Sequence, residues 1–371
     1  MSDFVPVNEP VLDGNERKYL NECIDTGWIS SEGPFIREFE SRFAARMNRR
    51  HGIAVANGSV ALDAAVAALG IGPGDEVIMP TFTIISCAAA VSRLGATPVV
   101  VDCDPLTWNM DVSAIESRIT EKTRAIMPVH IYGLPVDMDP VLDIAAKHGL
   151  FVIEDAAEMI GQTYRDRPCG SLGTISTFSF YPNKHVTTGE GGMILTDDDA
   201  IAEHCRGLRN LAMKARRFIH DEIGWNFRMT NMQAAIGLAQ LERLDEFVPR
   251  KRRTFERYTS LLSDIPSLQL PVACTDFATN INWVYGVVIA DDVPFDADEA
   301  MRRLGEKGIG TRPFFWPMHE QPVYLKAGMF KGESYPNAER IARRGFYLPS
   351  GLALTDGQIE RVSAAVHETF A

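Results

Sequence analysis

The sequence predicts an α/β fold with two parts: a large domain around a mostly parallel central sheet, and a smaller C-terminal α/β domain. Three observations carry this expectation. Between residues 76 and 153, continuous apolar runs alternate with helical segments, the pattern of parallel strands covered on both faces. After Gly173 the pattern shifts, and the apolar runs Ile175 to Phe180 and Gly192 to Thr196 leave no room for a helix between them. With 371 residues and 46% apolar content, the chain can bury one large core and a smaller one. The boundary is expected between residues 248 and 249, giving a domain 1–248 with an N-terminal helical segment and a domain 249–371.

The elements follow in order. Asn15 to Thr26 reads as a helix, and Gly33-Pro34-Phe35-Ile36-Arg37 opens a second that ends near Arg46. Gly52 to Ala56 is a short strand running into Asn57-Gly58-Ser59. An alanine-rich helix from Val60 to Leu69 comes next, stopped by the glycines between Gly70 and Gly74. The apolar runs Glu76 to Met79, Pro98 to Val101, Ala125 to Val129 and Leu150 to Ile153 are strands, with Gly, Pro or Asp at most junctions. One helix is expected over Asn231 to Asp245, with Ala234, Ala235, Leu238, Leu241 and Leu244 on one side. The charged run Pro249-Arg250-Lys251-Arg252-Arg253 reads as a solvated face on a helix linking the domains. From about Leu268 the pieces suit a small α/β domain, and the chain carries no internal repeat.

Composition excludes several classes of function. A net charge of -12 argues against nonspecific binding to nucleic acid or to an anionic membrane. The six cysteines are scattered without a CxxC pair, which points to reduced, mostly buried thiols in a cytoplasmic protein. The first residues lack the basic and apolar segments of a secretory signal, and no apolar stretch is long enough to cross a bilayer.

Two stretches carry the chemistry. Phe151-Val152-Ile153-Glu154-Asp155 is an apolar run ending in carboxylates at the expected C-terminal end of a strand. Phe178-Ser179-Phe180-Tyr181-Pro182-Asn183-Lys184 leads into a loop closed by Gly189-Glu190-Gly191-Gly192. Alone, Asp155 reads better as a helix N-cap and Lys184 as an exposed loop lysine. Together they supply what pyridoxal phosphate (PLP) requires, a lysine for the Schiff base and an acid to keep the pyridine nitrogen protonated. The neighbouring His185 is the rival to Lys184. Gly58-Ser59 before a helix presents free N–H groups to a phosphate, although a serine there is most often only a cap. Ser179 adds a hydroxyl if its strand points it inward. Phe82 is an aromatic that either stacks on the pyridine ring or packs in the core.

Read together, these motifs resemble the sugar-nucleotide aminotransferases of the DegT/DnrJ/EryC1/StrS family, which have the fold type I PLP-dependent aminotransferase architecture. The resemblance spans nearly the whole chain. It adds Pro80-Thr81-Phe82-Thr83, Glu154-Asp155-Ala156-Ala157-Glu158, Asn226-Phe227-Arg228-Met229-Thr230-Asn231 and Arg312-Pro313-Phe314-Phe315-Trp316-Pro317-Met318-His319 to the stretches above. It implies that Lys184 forms the covalent link to the cofactor, that Asp155 pairs with the ring nitrogen, and that Gly58, Ser59 and Ser179 hold the phosphate. Asn226 resembles a residue that the partner subunit donates to that phosphate, which implies a homodimer with shared active sites. Many members carry Gln or His where this chain has Glu158, near the cofactor's phenolic oxygen; the acid is similar to that of perosamine-forming members.

The resemblance further implies transfer of the amino group of L-glutamate to C-4 of a GDP-linked 4-keto-6-deoxy sugar, GDP-4-keto-6-deoxy-D-mannose. Arg312, Trp316 and His319 resemble the family's sugar-contacting segment. Core packing for Trp316 and a surface hydrogen bond for His319 are the plainer readings. Lys214, Arg216 and Arg217 form a basic loop able to meet a diphosphate, or simply a solvated one. Two alternatives stay open: an aminotransferase for a UDP- or dTDP-ketosugar, and a PLP-dependent GDP-sugar 3-dehydratase, the branch in which histidine replaces the lysine.

Overall fold

Local sequence accounts for most elements of the computed structural model, which describes residues 4–213, 216 and 218–370. Helix α1 (Glu16–Thr26) ends on Gly27 in the left-handed conformation that glycine favours. Helix α2 (Pro34–Arg46) has proline in its first turn and buries Phe35, Ile36, Phe39 and Phe43. Strand β1 (His51–Val55) leads to Asn57, whose side chain accepts from the Val60 amide and caps α3 (Gly58–Ala68). Alternation then begins with β2 (Glu76–Pro80), α4 (Ile85–Arg93), β3 (Thr97–Val101), β4 (Thr123–Ile126), α5 (Met138–His148) and β5 (Phe151–Asp155). A short hairpin of β6 (Thr163–Tyr164) and β7 (Arg167–Pro168) precedes β8 (Ile175–Ser179), β9 (Gly192–Thr196) and α6 (Asp199–Arg209).

Seven of these strands form one sheet in the order β1-β9-β8-β5-β4-β2-β3. Its pairs from β8 through β5, β4 and β2 to β3 are parallel, while β9 runs antiparallel to both neighbours. Alternate residues of β5 enter different cores: Val152 joins one apolar cluster and Ile153 the other. Helix α2 seals one face by setting Phe39 5.0 Å from the Phe180 ring and Phe43 5.0 Å from the Phe178 ring.

The helix expected over Asn231 to Asp245 is in fact two. Thr230 and Gln233 form a capping box that starts α7 (Asn231–Leu241), and α8 (Leu244–Leu262) follows. Arg243, at φ -108°, leaves helical geometry, and its guanidinium pairs with Asp13 and Glu246. The break falls at Arg243, where the apolar period alone would continue the helix. The expected boundary at 248/249 falls inside α8, next to Pro249. Beyond it, β10 (Leu268–Gln269), β11 (Tyr285–Ile289), α9 (Ala297–Glu306), β12 (Arg312–Pro313), α10 (Pro322–Lys326), α11 (Pro336–Arg344), β13 (Gly345–Leu348) and α12 (Asp356–Phe370) complete the chain. Their four strands form an antiparallel sheet in the order β10-β11-β13-β12. Among the described residues no helix is long and apolar enough to cross a membrane.

The charged run on α8 is not uniformly solvated. Lys251 is only 4% exposed, and its ammonium nitrogen donates to the carbonyls of Trp283 and Ser350. Two carbonyl acceptors need two N–H donors and no counter-charge, which a neutral amine supplies as well as an ammonium does. Burial accordingly pushes Lys251 down to about 7. An unfolded lysine titrates near about 10.4, so between roughly pH 7 and 10 the unfolded chain holds a proton that the folded chain has released. Stability from this group therefore rises with pH across that window. Urea titrations of the parent and Lys251→Met, run from pH 6.5 to pH 9.5, should show the parent gaining stability relative to the variant. A difference that stays flat would mean Lys251 remains charged in the fold.

Candidate active site

The C-terminal ends of β5 and β8, the first turn of α3 and the loop after β8 enclose a cavity of about 820 Å³. This is where ligands bind in open parallel sheets. Consecutive carboxylates at the end of β5 face opposite ways. Glu154 is fully buried and accepts from the amides of Leu172 and Gly173, each at 2.9 Å, and from that of Gly170. His130 Nδ1 accepts from the Val136 amide, so its Nε2 carries the hydrogen and donates to Glu154 at 3.2 Å. Burial alone would raise the Glu154 carboxyl; His130 and the loop amides outweigh it and hold the group below its ordinary value.

Asp155 turns to the cavity. Its Oδ1 accepts from the Ala157 amide at 3.0 Å, and its Oδ2 accepts from the Cys87 thiol at 3.2 Å. Burial raises its carboxyl, a rise opposed by the Ala157 amide, the Cys87 thiol and the charge of Lys184. Glu158 accepts from the Tyr132 amide at 2.6 Å and stands 3.9 Å from Lys184 Nζ. Burial pushes Glu158 up to about 8, so at neutral pH this acid mostly keeps its proton and is able to donate. Burial pushes the Lys184 ammonium down, and Glu158 and Asp155 push it back. The lysine also lies 3.6 Å from the centroid of the Trp283 ring.

At the other end of the cavity, the N-terminal turn of α3 meets β8. A Cβ on Gly58 would stand 2.9 Å from the Ser179 Cβ, so only glycine lets the helix end come this close to the strand. Ser59 Oγ lies 2.8 Å from Ser86 Oγ, and the Ser179 hydroxyl accepts from the Tyr181 amide at 3.4 Å. Amides of a first helical turn lack intrahelical acceptors and add a positive dipole end. Thr177 Oγ1 and Asn183 Oδ1, both on residues of the cavity wall, are buried without a hydrogen-bond partner. An acid, a lysine and the N-terminus of a helix around one cavity fit a phosphorylated pyridine aldehyde, pyridoxal phosphate.

Of the residues singled out in the sequence, Lys184, Asp155, Glu158, Ser179, Gly58 and Ser59 meet in this cavity. Phe82 does not. It is fully buried behind the wall, its ring 6.1 Å from Tyr132, 5.9 Å from Phe314 and 6.0 Å from Phe315, and the next residues Thr83 and Ile84 form the wall instead. The Phe82 ring thus packs directly against Phe315, which itself lines the cavity. His185 is buried outside the wall with Nε2 3.4 Å from the Ile281 carbonyl.

The remaining candidates lie elsewhere. Trp316 is 44% exposed beneath the Arg343 guanidinium, neither in the core nor in the wall. His319, expected at the surface in its plainer reading, is buried between Thr81 Oγ1 at 2.9 Å and Glu339 Oε1 at 3.1 Å. Arg312 is exposed on β12, opposite Tyr347, which does line the cavity. Asn226 is exposed and accepts from Arg228 Nε at 2.9 Å, outside this chain's cavity. Arg216 is exposed, and Lys214 and Arg217 lie outside the described residues.

Sequence reading missed Thr177, Tyr347, His130 and Trp283. Thr177 had a signal, since it precedes Ser179 by the strand period and shares its face. Trp283 and Tyr347 come from the C-terminal part, and no local pattern marks them.

The two carboxylates of β5 should respond unequally to neutralisation. Glu154→Gln places an amide nitrogen against backbone N–H groups and should cost about 3 kcal/mol of unfolding free energy in urea. Asp155→Asn removes a charge that burial disfavours and should stay within about 1 kcal/mol of the parent.

Residues 10–367 match the DegT/DnrJ/EryC1/StrS aminotransferase family. The chain is 46% identical over 373 aligned residues to a GDP-perosamine synthase of Caulobacter vibrioides, covering 100% of both chains. It is 42% identical to a GDP-perosamine synthase of Escherichia coli O157:H7, covering 99% of each. Among solved structures it superposes on S. venezuelae DesV, determined with a ketimine intermediate, at a TM-score of 0.88 and 37% identity, covering 95% of this chain and 94% of that one. With the lysine, the carboxylate and the helix-end cradle assembled in one cavity, and the match running almost end to end, the chain belongs to the DegT/DnrJ/EryC1/StrS aminotransferase family.

Proposed function

We propose that this protein moves the amino group of L-glutamate to C-4 of GDP-4-keto-6-deoxy-D-mannose, forming GDP-perosamine with pyridoxal phosphate as cofactor. The observation that carries the reading is the meeting of Lys184, Asp155 and the α3 N-terminus in one cavity, in a chain 46% identical end to end to a GDP-perosamine synthase.

In this reading Asp155 faces the ring nitrogen, and Gly58, Ser59 and Ser179 hold the phosphate. Glu158 sits near the phenolic oxygen, where an acid raised to about 8 has a proton to share. The bound cofactor supplies an electron sink for the carbon that loses its proton. Lys184 is the covalent attachment point, and once free it carries the proton from one carbon to the other. Burial favours its neutral amine, the form able to take that proton. Burial raises the Asp155 carboxyl, and the Ala157 amide and the Cys87 thiol oppose that rise, supporting the charged form that would pair with the ring nitrogen.

Lys184 in the wall and His185 packed outside it favour amination over the dehydratase alternative. For the nucleotide, identity to two GDP-perosamine synthases favours GDP over UDP or dTDP. Arg312, Trp316, His319 and the basic loop of Lys214, Arg216 and Arg217 remain candidates for the sugar nucleotide, His319 acting from its buried position through Thr81 or Glu339. A homodimer is part of the proposal. Asn226 is exposed rather than turned into its own cavity, and Trp28, Ile29 and Ile223 are apolar and at least half exposed. A cytoplasmic setting, a role in O-antigen synthesis, and a division into domains 1–248 and 249–371 complete it.

The test is mass spectrometry of products after incubation with PLP, L-glutamate and GDP-4-keto-6-deoxymannose. The expected product is a GDP-amino sugar with matching release of 2-oxoglutarate; a dehydrated GDP-sugar would overturn amination. Lys184→Ala should lower kcat by about ten-thousand-fold, and borohydride should trap the cofactor on Lys184 of the parent only.

A further inference from the structure

A line of contacts from helix α8 to the catalytic loop has no part in the mechanism above. The Trp283 indole donates Nε1–H to the Asn183 carbonyl at 2.9 Å, and the face of the same ring lies 3.6 Å from Lys184 Nζ. The ring therefore holds both the lysine and the residue before it. The carbonyl of Trp283 accepts from Lys251 Nζ at 2.7 Å, and Trp283 itself is 4% exposed. Two buried lysines from distant parts of the sequence thus meet one tryptophan, one through its ring and one through its backbone.

We propose that Trp283 is an active-site residue whose indole face holds the free ammonium of Lys184, and that Lys251 is the positioning residue that fixes this indole. The proposal rests on the reading of Lys184 as the attachment lysine. Such a lysine must alternate between a bonded and a free state in a closed site. The ionisable groups facing it are Glu158, at 3.9 Å and so beyond hydrogen-bond length, and Asp155. Burial and then the charge of Glu158 raise the Tyr132 and Tyr347 phenols. On the far side, His185 faces Lys251, Lys184 and Arg252, and burial followed by the charge of Lys251 pushes its imidazole down to about 3, leaving it neutral.

An aromatic face suits this task. It supports a cation by its quadrupole but takes no proton and imposes no directional bond. A carboxylate at contact distance would hold the lysine charged and displaced; the indole supports it and lets it go. Tryptophan also offers the largest face and an N–H handle that fixes the ring plane.

The test measures the basicity of Lys184 itself. In the full-length protein, after glutamate has left the amino group on the cofactor, the lysine is free. Competitive acetylation across pH, read by peptide mass spectrometry, gives its pKa. Trp283→Leu should lower that pKa by about one unit. Trp283→Phe, which keeps a smaller ring without the N–H, should lower it by less, and Lys251→Met should shift it in the same direction. Should Trp283→Leu not fold, the Trp283→Phe and Lys251→Met titrations decide. An unchanged Lys184 pKa in correctly folded Trp283 variants would overturn the role of the indole, and a shift confined to Trp283 variants would overturn that of Lys251. Failure of borohydride trapping in the parent would instead remove the reading of Lys184, leaving the two failures distinct.

Discussion

The site depends on one buried carboxylate that does not enter it. Glu154 takes hydrogen bonds from His130 and from the amides of Gly170, Leu172 and Gly173. A charge taken out of water is stable only when donors replace its hydration. Here the donors come from the loop between β7 and β8, so the carboxylate fixes where β8 begins. The register then follows: Ile153 pairs with Ile175 and Asp155 with Thr177. Strand alternation does the rest, turning Asp155 toward the cavity because Glu154 is committed to the other side. Loop anchoring, strand register and the aim of Asp155 are one constraint.

Within the cavity, ionisable groups are balanced against one another rather than against solvent. Burial disfavours the charged forms of Lys184, Asp155 and Glu158 alike, and each opposite charge nearby restores part of the loss. The acidic chain, at -12 overall, still offers an anion a place through local donors at the first turn of α3. Short-range amides outweigh the screened charge of a distant surface.

Much of this arrangement was visible in the sequence because it is local. The apolar run into Glu154-Asp155 marks a strand end, Asn57 before Gly58-Ser59 marks a capped helix, and Thr230 with Gln233 marks another. Each signal lies within a few residues, where backbone geometry determines what neighbouring side chains do. Phe82 shows the limit. From Pro80-Thr81-Phe82-Thr83 an aromatic near the ring is a fair expectation, yet the loop leaves β2 in such a way that Phe82 joins Tyr132, Phe314 and Phe315 inside while Thr83 and Ile84 line the cavity. Which of three successive loop residues faces in is decided by the partners that cover it. The partners here lie 50 and more than 230 positions along the chain.

The α8 region teaches the same lesson by charge. Pro249-Arg250-Lys251-Arg252-Arg253 looks uniformly solvated, but Lys251 points between Trp283 and Ser350 and is buried. No spacing rule announces a lysine whose acceptors are two distant backbone carbonyls. By itself, the sequence determined the α/β class, the alternation that builds the sheet, the helix caps, and the lysine and acids worth examining, because those follow from periodicity and short-range hydrogen bonding. Only the tertiary structure decided that α7 and α8 part at Arg243, that Phe82 packs on Tyr132, Phe314 and Phe315, and that Trp283 meets Lys184, because each depends on long-range packing and on burial that changes what a side chain's charge or ring is worth.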